Sequence, residues 1–176
     1  YNAKVIITST PANGYDSVSY SGISTEVDEN RATYFTVPAD NFTLTATGNP
    51  HTYIITFNGN GGTTDGTTKS YTQNAVFNTN VVLENNKFNN SGYRFIGWAT
   101  EDTLDAENAE DRVVYENGDS ISPYAFTEDL TLFAVWLNNT YDITYHSNGG
   151  AIPQEEGNGL TTYPTGTNVE YDETIK

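Results

Sequence analysis

The chain has 176 residues, 23 Asp and Glu against seven Lys and Arg, a net charge of −16, and neither Cys nor Met. Such a balance repels phosphate polymers and anionic membrane surfaces, so nucleic acid is not an expected partner. Without Cys there is no disulfide framework, thiolate zinc site or thiol nucleophile. Thirteen Tyr, eight Phe and abundant Thr, Val and Ile favour strands, and abundant Asn, Gly, Ser and Asp supply turns. The composition therefore predicts a mainly β chain.

In chain order, the first alternating run is "KVIITST" (4–10), followed by a turn at Pro11-Ala12-Asn13-Gly14. Strand-like runs follow at 15–22, 31–38 and 42–48, each bounded by Gly, Pro, Asn or Asp. Further strands are expected at 53–57, 68–72, 81–83, 93–98, 112–115 and 130–136. Only "EDTLDAENAED" (101–111) is compatible with helix, and its apolar residues are too few for a buried stripe, so a loop or one short helical turn is expected. No run of about 18 apolar residues exists, so no membrane insertion is predicted. The chain opens within an alternating run and stops as abruptly at "VEYDETIK", the pattern of a segment from a longer polypeptide.

Self-comparison is the most informative test. "TYIITFNGNGGTT" from Thr52 returns as "TYDITYHSNGGAI" from Thr140, pairing Tyr53 with Tyr141, Ile55 with Ile143, Phe57 with Tyr145 and Asn60-Gly61-Gly62 with Asn148-Gly149-Gly150. Three pieces follow: 1–50, a complete repeat over 51–138, and the first half of a further repeat over 139–176. Short linkers, "GNPHT" (48–52) and "LNNT" (137–140), leave little slack and imply a semi-rigid rod.

The glycine cluster of the first copy could be a phosphate cradle only if it opened a helix, so that backbone N–H groups converged on the anion. Turn and strand residues follow instead, and Ser147 replaces Gly59 in the second copy. Asn60-Gly61 and Asn148-Gly149 are expected to supply the positive φ of a tight turn. Tyr93, Phe95 and Trp98 in "GYRFIGW" could stack on sugar rings if exposed; alternatively Trp98, Trp136, Leu132 and Phe57 fill a small core. Acidic residues over 101–119 could offer oxygens to calcium, but the spacing of a calcium loop is absent and a solvated loop is expected. His51 and His146 lie near equivalent strand ends without a nucleophile or zinc motif beside them. Lys69 and Lys87 with abundant Asn leave open an internal isopeptide bond, the plainer expectation being exposed lysines at strand ends.

The central unit resembles the Listeria–Bacteroides repeat, the family that includes the B repeats of listerial internalins. The resemblance rests on "YIITFNGNGG" (53–62), "NTNVVL" (78–83), "SGYRFIGWAT" (91–100) and "DLTLFAVW" (129–136) in that order. Residues 1–50 resemble the latter, C-terminal part of the divergent form of this repeat through "TPANGYDSVSYSG" (10–22) and "RATYFTVPADNFTLTATG" (31–48), with Tyr20 where Trp is common. The resemblance implies small β-grasp-like domains with little helix, exported and strung in tandem on bacterial surface proteins. The motifs weighed above give no expected cofactor, metal or catalytic residue, and the short linkers between small cores lead to an expected spacer or stalk role with adhesion through protein contacts. The implied partners are flanking repeats of the same polypeptide and a host or matrix protein or glycan. The alternatives are a carbohydrate-binding module and an accessory domain of a larger extracellular enzyme. The half repeat at 139–176 is expected to borrow strand pairing or to keep an open edge.

Overall fold

A computed structural model of the chain describes residues 3–103, 108–143 and 166–170, with Ile143 and the last five through their backbone. The strands are β1 (Lys4–Ile7), β2 (Tyr15–Ser21), β3 (Glu26–Val27), β4 (Thr33–Thr36), β5 (Thr45–Pro50), β6 (Thr52–Asn58) and β7 (Ser70–Val76). They continue with β8 (Val81–Val82), β9 (Tyr93–Ala99), β10 (Ser120–Ile121), β11 (Leu130–Asn138), β12 (Thr140–Ile143) and β13 (Gly166–Glu170). Among the described residues the helical structure is one 3-10 turn, Ala109–Arg112. The expectation of a mainly β chain with little helix is met.

The sheets are small: β1-β4-β3, a β2-β5 pair, a β8-β10 pair, β7-β6-β11-β9, and a β12-β13 pair. By internal contacts the chain falls into two compact units. One comprises 1–56, 71–84 and 118–131; the other comprises 57–70, 85–117 and 132–176. In the first unit the buried apolar residues are Tyr34 and Phe35 on β4, then Ile55, Ala75, Val81, Leu83, Ile121 and Tyr124. Alternation explains several of these, since Val81 and Leu83 are buried while Val82 between them is exposed. In the second unit the core is Phe57, Phe88, Trp98, Ala99, Leu132, Ala134 and Val135.

One irregularity shapes that second core. The antiparallel register pairs Val135 with Gly97 and then Trp136 with Phe95, so Ile96 is an extra residue, a β-bulge. Because side chains alternate with period two, one added residue reverses the phase. Phe95 and Trp98, three apart, therefore share a face, with ring centroids 4.8 Å apart.

Several sequence expectations need correction. The segment 112–115 is not a strand: the 3-10 turn ends at Arg112, and Tyr115 makes a single bridge to Trp98. The bond from Trp98 N–H to the Tyr115 carbonyl (2.8 Å) and those from the Val114 and Tyr115 N–H groups back to the Trp98 carbonyl (2.8 and 3.2 Å) centre on one residue, too few to extend a ladder. Its approach is possible because Gly97 has no side chain; a Cβ there would lie 2.5 Å from Val113 Cγ1 and 2.8 Å from the Tyr115 carbonyl oxygen. The "GNPHT" linker is shorter than expected, since Gly48, Asn49 and Pro50 belong to β5 and Thr52 begins β6. Strands β3 and β10, two residues each, escaped the pattern reading. The second glycine cluster, Asn148-Gly149-Gly150, and His146 lie outside the described residues.

Candidate functional site

The loop after β6 consumes its own polar groups. Asn60 (φ 44) and Gly61 (φ 95) supply the left-handed turn that the sequence calls for. Gly59 N–H donates to the Lys69 carbonyl (2.8 Å), Asn60 N–H to Asn58 Oδ1 (2.9 Å), Gly62 N–H to the Gly59 carbonyl (2.8 Å) and Thr63 N–H to the Asn89 carbonyl (3.0 Å). Four N–H groups that an anion would need are thus engaged, and no helix follows. Composition did not reveal that the Asn60 side chain is itself buried. Its amide donates to Thr103 Oγ1 and to the Ala134 carbonyl, both at 3.0 Å, stitching the loop to the sheet. Trp136 Nε1–H donates to the Gly59 carbonyl (2.9 Å), and its ring lies where a side chain on Gly62 would stand, 2.6 Å from such a Cβ.

The aromatic element is core. Trp98 is 0% exposed, with Phe57 at 4.8 Å and Phe88 at 6.3 Å between centroids, and its Nε1–H finds no acceptor among the described residues. Tyr93, Phe95 and Trp136 are half-buried. A flat sugar-stacking face built from Tyr93, Phe95 and Trp98 is not formed.

Of the acidic segment, residues 104–107 lie outside the described residues; Glu101 pairs with Arg112 at 3.6 Å, both well exposed. Lys69 and Lys87 are exposed. Among the described residues the most perturbed carboxylate is Asp65, which composition offers only as turn material. Its oxygens accept the N–H groups of Thr67 (3.0 Å) and Thr68 (2.6 Å) and both threonine hydroxyls (2.9 Å each). The bond from the Thr68 backbone, then that from the Thr67 backbone, lead in holding its pKa well below the usual carboxylate range.

The arrangement that recurs is a single-residue joint between strands. Between β5 and β6 stands one residue, His51, and between β11 and β12 stands one residue, Asn139, 88 positions later. His51 N–H donates to the Gly14 carbonyl and Asn139 N–H to the Gly92 carbonyl, each at 2.8 Å. The two acceptors are themselves equivalent. Each glycine has a left-handed φ (84 and 83) and precedes a Tyr whose N–H closes the turn at 3.1 Å, Tyr15 onto Ala12 and Tyr93 onto Asn90. Each then opens the strand, β2 or β9, that pairs with the last strand of its own repeat.

Side chains reinforce the first junction. His51 Nδ1 bonds Asp16 Oδ1, its ring lies 4.5 Å from Tyr53, and its carbonyl accepts Phe77 N–H (2.9 Å). Tyr15 packs edge-on to Phe77 at 5.2 Å and its hydroxyl accepts from Asn78 Nδ2 at 3.3 Å. The sequence placed His51 at a strand end; its backbone role could have been found only by aligning 51 with 139 and 14 with 92.

Clasped single-residue junctions that recur at matching positions are the mark of a tandem array of small β repeats. Residues 1–50 match the divergent InlB B-repeat domain family and residues 53–135 match the Listeria-Bacteroides repeat domain family, so these two segments belong to these repeat families. It is 30% identical over 157 residues to a "Putative Gly-rich membrane protein" of Evansella cellulosilytica; the match covers 81% of this chain and 17% of that protein's length. No solved structure matches the chain. Listeria-Bacteroides repeats occur in bacterial surface and extracellular proteins. Among the described residues no helix is long and apolar enough to cross a membrane.

Proposed function

We propose that this stretch is a non-catalytic spacer of a bacterial cell-surface or secreted protein, holding neighbouring modules apart, with adhesion through protein contacts as an added role. The repeat families matched are not known as catalytic, which supports the non-enzyme part. The observation that carries the spacer part is the junction. A flexible linker of n residues wanders over roughly 5–6 Å times the square root of n. Here the joint is one residue long, and its N–H is tied to a turn of the preceding repeat in both copies. The partners on this reading are the flanking repeats, with a host or matrix protein or glycan as a surface ligand.

Amide hydrogen exchange tests it. The His51 and Asn139 amides are expected to be protected like the strands on either side, because each is held in a backbone bond. His51→Pro and Asn139→Pro delete the N–H and should each cost about 1–3 kcal/mol through an unsatisfied carbonyl and backbone strain. Exchange of both amides at the rate of an open linker would sink the spacer reading.

A further inference from the structure

The sequence has six Asn-Gly pairs, four of them among the described residues: Asn13-Gly14, Asn58-Gly59, Asn60-Gly61 and Asn117-Gly118. Asn-Gly is the dipeptide most open to a reaction needing only water, because no Cβ shields the glycine nitrogen. The glycine nitrogen attacks the asparagine Cγ, the new N–Cγ bond forms, the Cγ–Nδ2 bond breaks, and ammonia leaves. Water then opens the resulting succinimide at either carbonyl. The products are Asp, or isoaspartate, in which the backbone runs through the side-chain carbon and is one atom longer.

The four pairs differ in what already holds them. Asn60 is buried and its amide is bonded twice. Asn58 Oδ1 accepts the Asn60 N–H, and the nucleophile beside it, Gly59 N–H, is committed to the Lys69 carbonyl. Asn117 is exposed, but its Oδ1 accepts the Asn86 N–H at 2.7 Å. Asn13 is exposed, and among the described residues neither its amide nor the Gly14 N–H has a hydrogen-bond partner. Asn13 faces an open groove of about 490 Å³ lined also by Pro11, Tyr15, Tyr53 and Thr127, where water has access, while Gly14 beside it is buried.

From this we infer that Asn13 is a self-modifying site whose conversion to isoaspartate releases the first repeat junction. The added backbone atom falls immediately before Gly14, whose carbonyl accepts His51 N–H and whose Cα lies under the Phe77 ring. Neither contact survives a lengthened turn unchanged. The second junction lacks the Asn-Gly pair, because Ser91 precedes Gly92 where Asn13 precedes Gly14, and its nearest asparagine, Asn90, is followed by a serine whose Cβ shields the nitrogen. One junction therefore loosens faster with age than the other.

The test incubates the whole folded chain and a urea-unfolded sample in mildly alkaline buffer. Conversion is followed by peptide mass mapping and isoaspartate methyltransferase labelling. Asn13 is expected to convert fastest of the four in the folded chain, with Asn117 slower. Asn58 and Asn60 are expected to slow by at least about tenfold on folding, equivalent to about 1.4 kcal/mol of local opening. In the converted fraction, deuterium exchange at His51 should accelerate while that at Asn139 stays unchanged. Asn13→Ser should remove the label at that position and hold His51 exchange at its starting value. Folding that protects Asn13 as strongly as Asn60 would overturn the site. Converted chains with unaltered His51 exchange would overturn its effect on the junction. Neither failure touches the spacer reading, which is judged on fresh, unconverted chain.

Discussion

The pairs β2-β5 and β9-β11 occupy the same place in successive repeats, yet they are built differently inside. Both begin at a left-handed glycine and a tyrosine, and both are followed by the residue clasped to that glycine's carbonyl. Counting from the glycine, Tyr20 in the first corresponds to Trp98 in the second, and Ser19 to Gly97. Tyr20 is half-exposed and spends its hydroxyl on Ser9 Oγ (2.6 Å), whereas Trp98 is wholly enclosed by Phe57, Phe88 and Phe95. Backbone features that fix the junction are common to both repeats, while the burial of the central position is not. The requirement these repeats share is thus how one hands the chain to the next, and core size is free to vary.

The largest expected effect tests that contrast directly. Trp98→Ala empties the centre of a core and should destabilise by about 3–5 kcal/mol, read as a shift of the denaturation midpoint. Tyr20→Ala, at a half-exposed site, should cost about 1 kcal/mol. Trp98→Phe removes an indole N–H that has no acceptor among the described residues, so it should cost clearly less than Trp98→Ala. Equal losses for Trp98→Ala and Tyr20→Ala would break the comparison.

Next comes the residue before it. Transplanting the first repeat's serine as Gly97→Ser puts a Cβ against Val113 Cγ1 and the Tyr115 carbonyl, and should cost about 2–3 kcal/mol. Gly66→Ala is the control. Gly66 has a left-handed φ (85) and nothing within 4 Å of where a Cβ would stand, so only backbone strain of about 1–2 kcal/mol applies. A Gly97→Ser variant no worse than Gly66→Ala would show that the 113–115 segment yields freely, and that Gly97 does not distinguish the repeats.

Much of this architecture was legible in the residues, for physical reasons that also mark where legibility stopped. Ile55, Phe57 and Leu132 fall on buried faces because period two carries over a regular strand. The same rule misplaces Trp98 relative to Tyr93 and Phe95, since nothing in "GYRFIGW" announces the extra residue at Ile96. Gly48-Asn49-Pro50 reads as a loop by composition but is strand. Pro50 ends β5 opposite Tyr15, and Gly48 sits under the Tyr15 ring, 2.8 Å from where its Cβ would be. Val113-Val114-Tyr115 has strand composition, yet a strand needs a partner along its length, and the bonds it makes to β9 centre on Trp98 alone. The junction clasp was least visible because its atoms are backbone. Only the 88-residue echo that pairs position 51 with 139 points to it.

The smallest expected effect concerns two aspartate turns, one in each repeat. Asp28 Oδ1 accepts the N–H groups of Asn30 (2.9 Å) and Ala32 (2.8 Å), while Asp65 gathers two N–H groups and two hydroxyls on its two oxygens. With its folded pKa lowered, Asp65 favours the native state wherever the carboxylate is ionised in both states, that is, above the unfolded value of about 3.9. As pH falls below that value the unfolded chain takes up the proton first, and the contribution is lost progressively as the folded pKa is approached. Asp65→Asn cannot titrate at this position. Any stability gap between the native chain and this variant at neutral pH should therefore shrink on acidification, measured by denaturant midpoints at a series of pH values. The gap is small because the side chain is solvent-exposed. A gap that stays constant down to strongly acid pH would mean that the four bonds act on turn geometry rather than on charge, and would place the Asp65 turn on the same footing as any uncharged Asx turn.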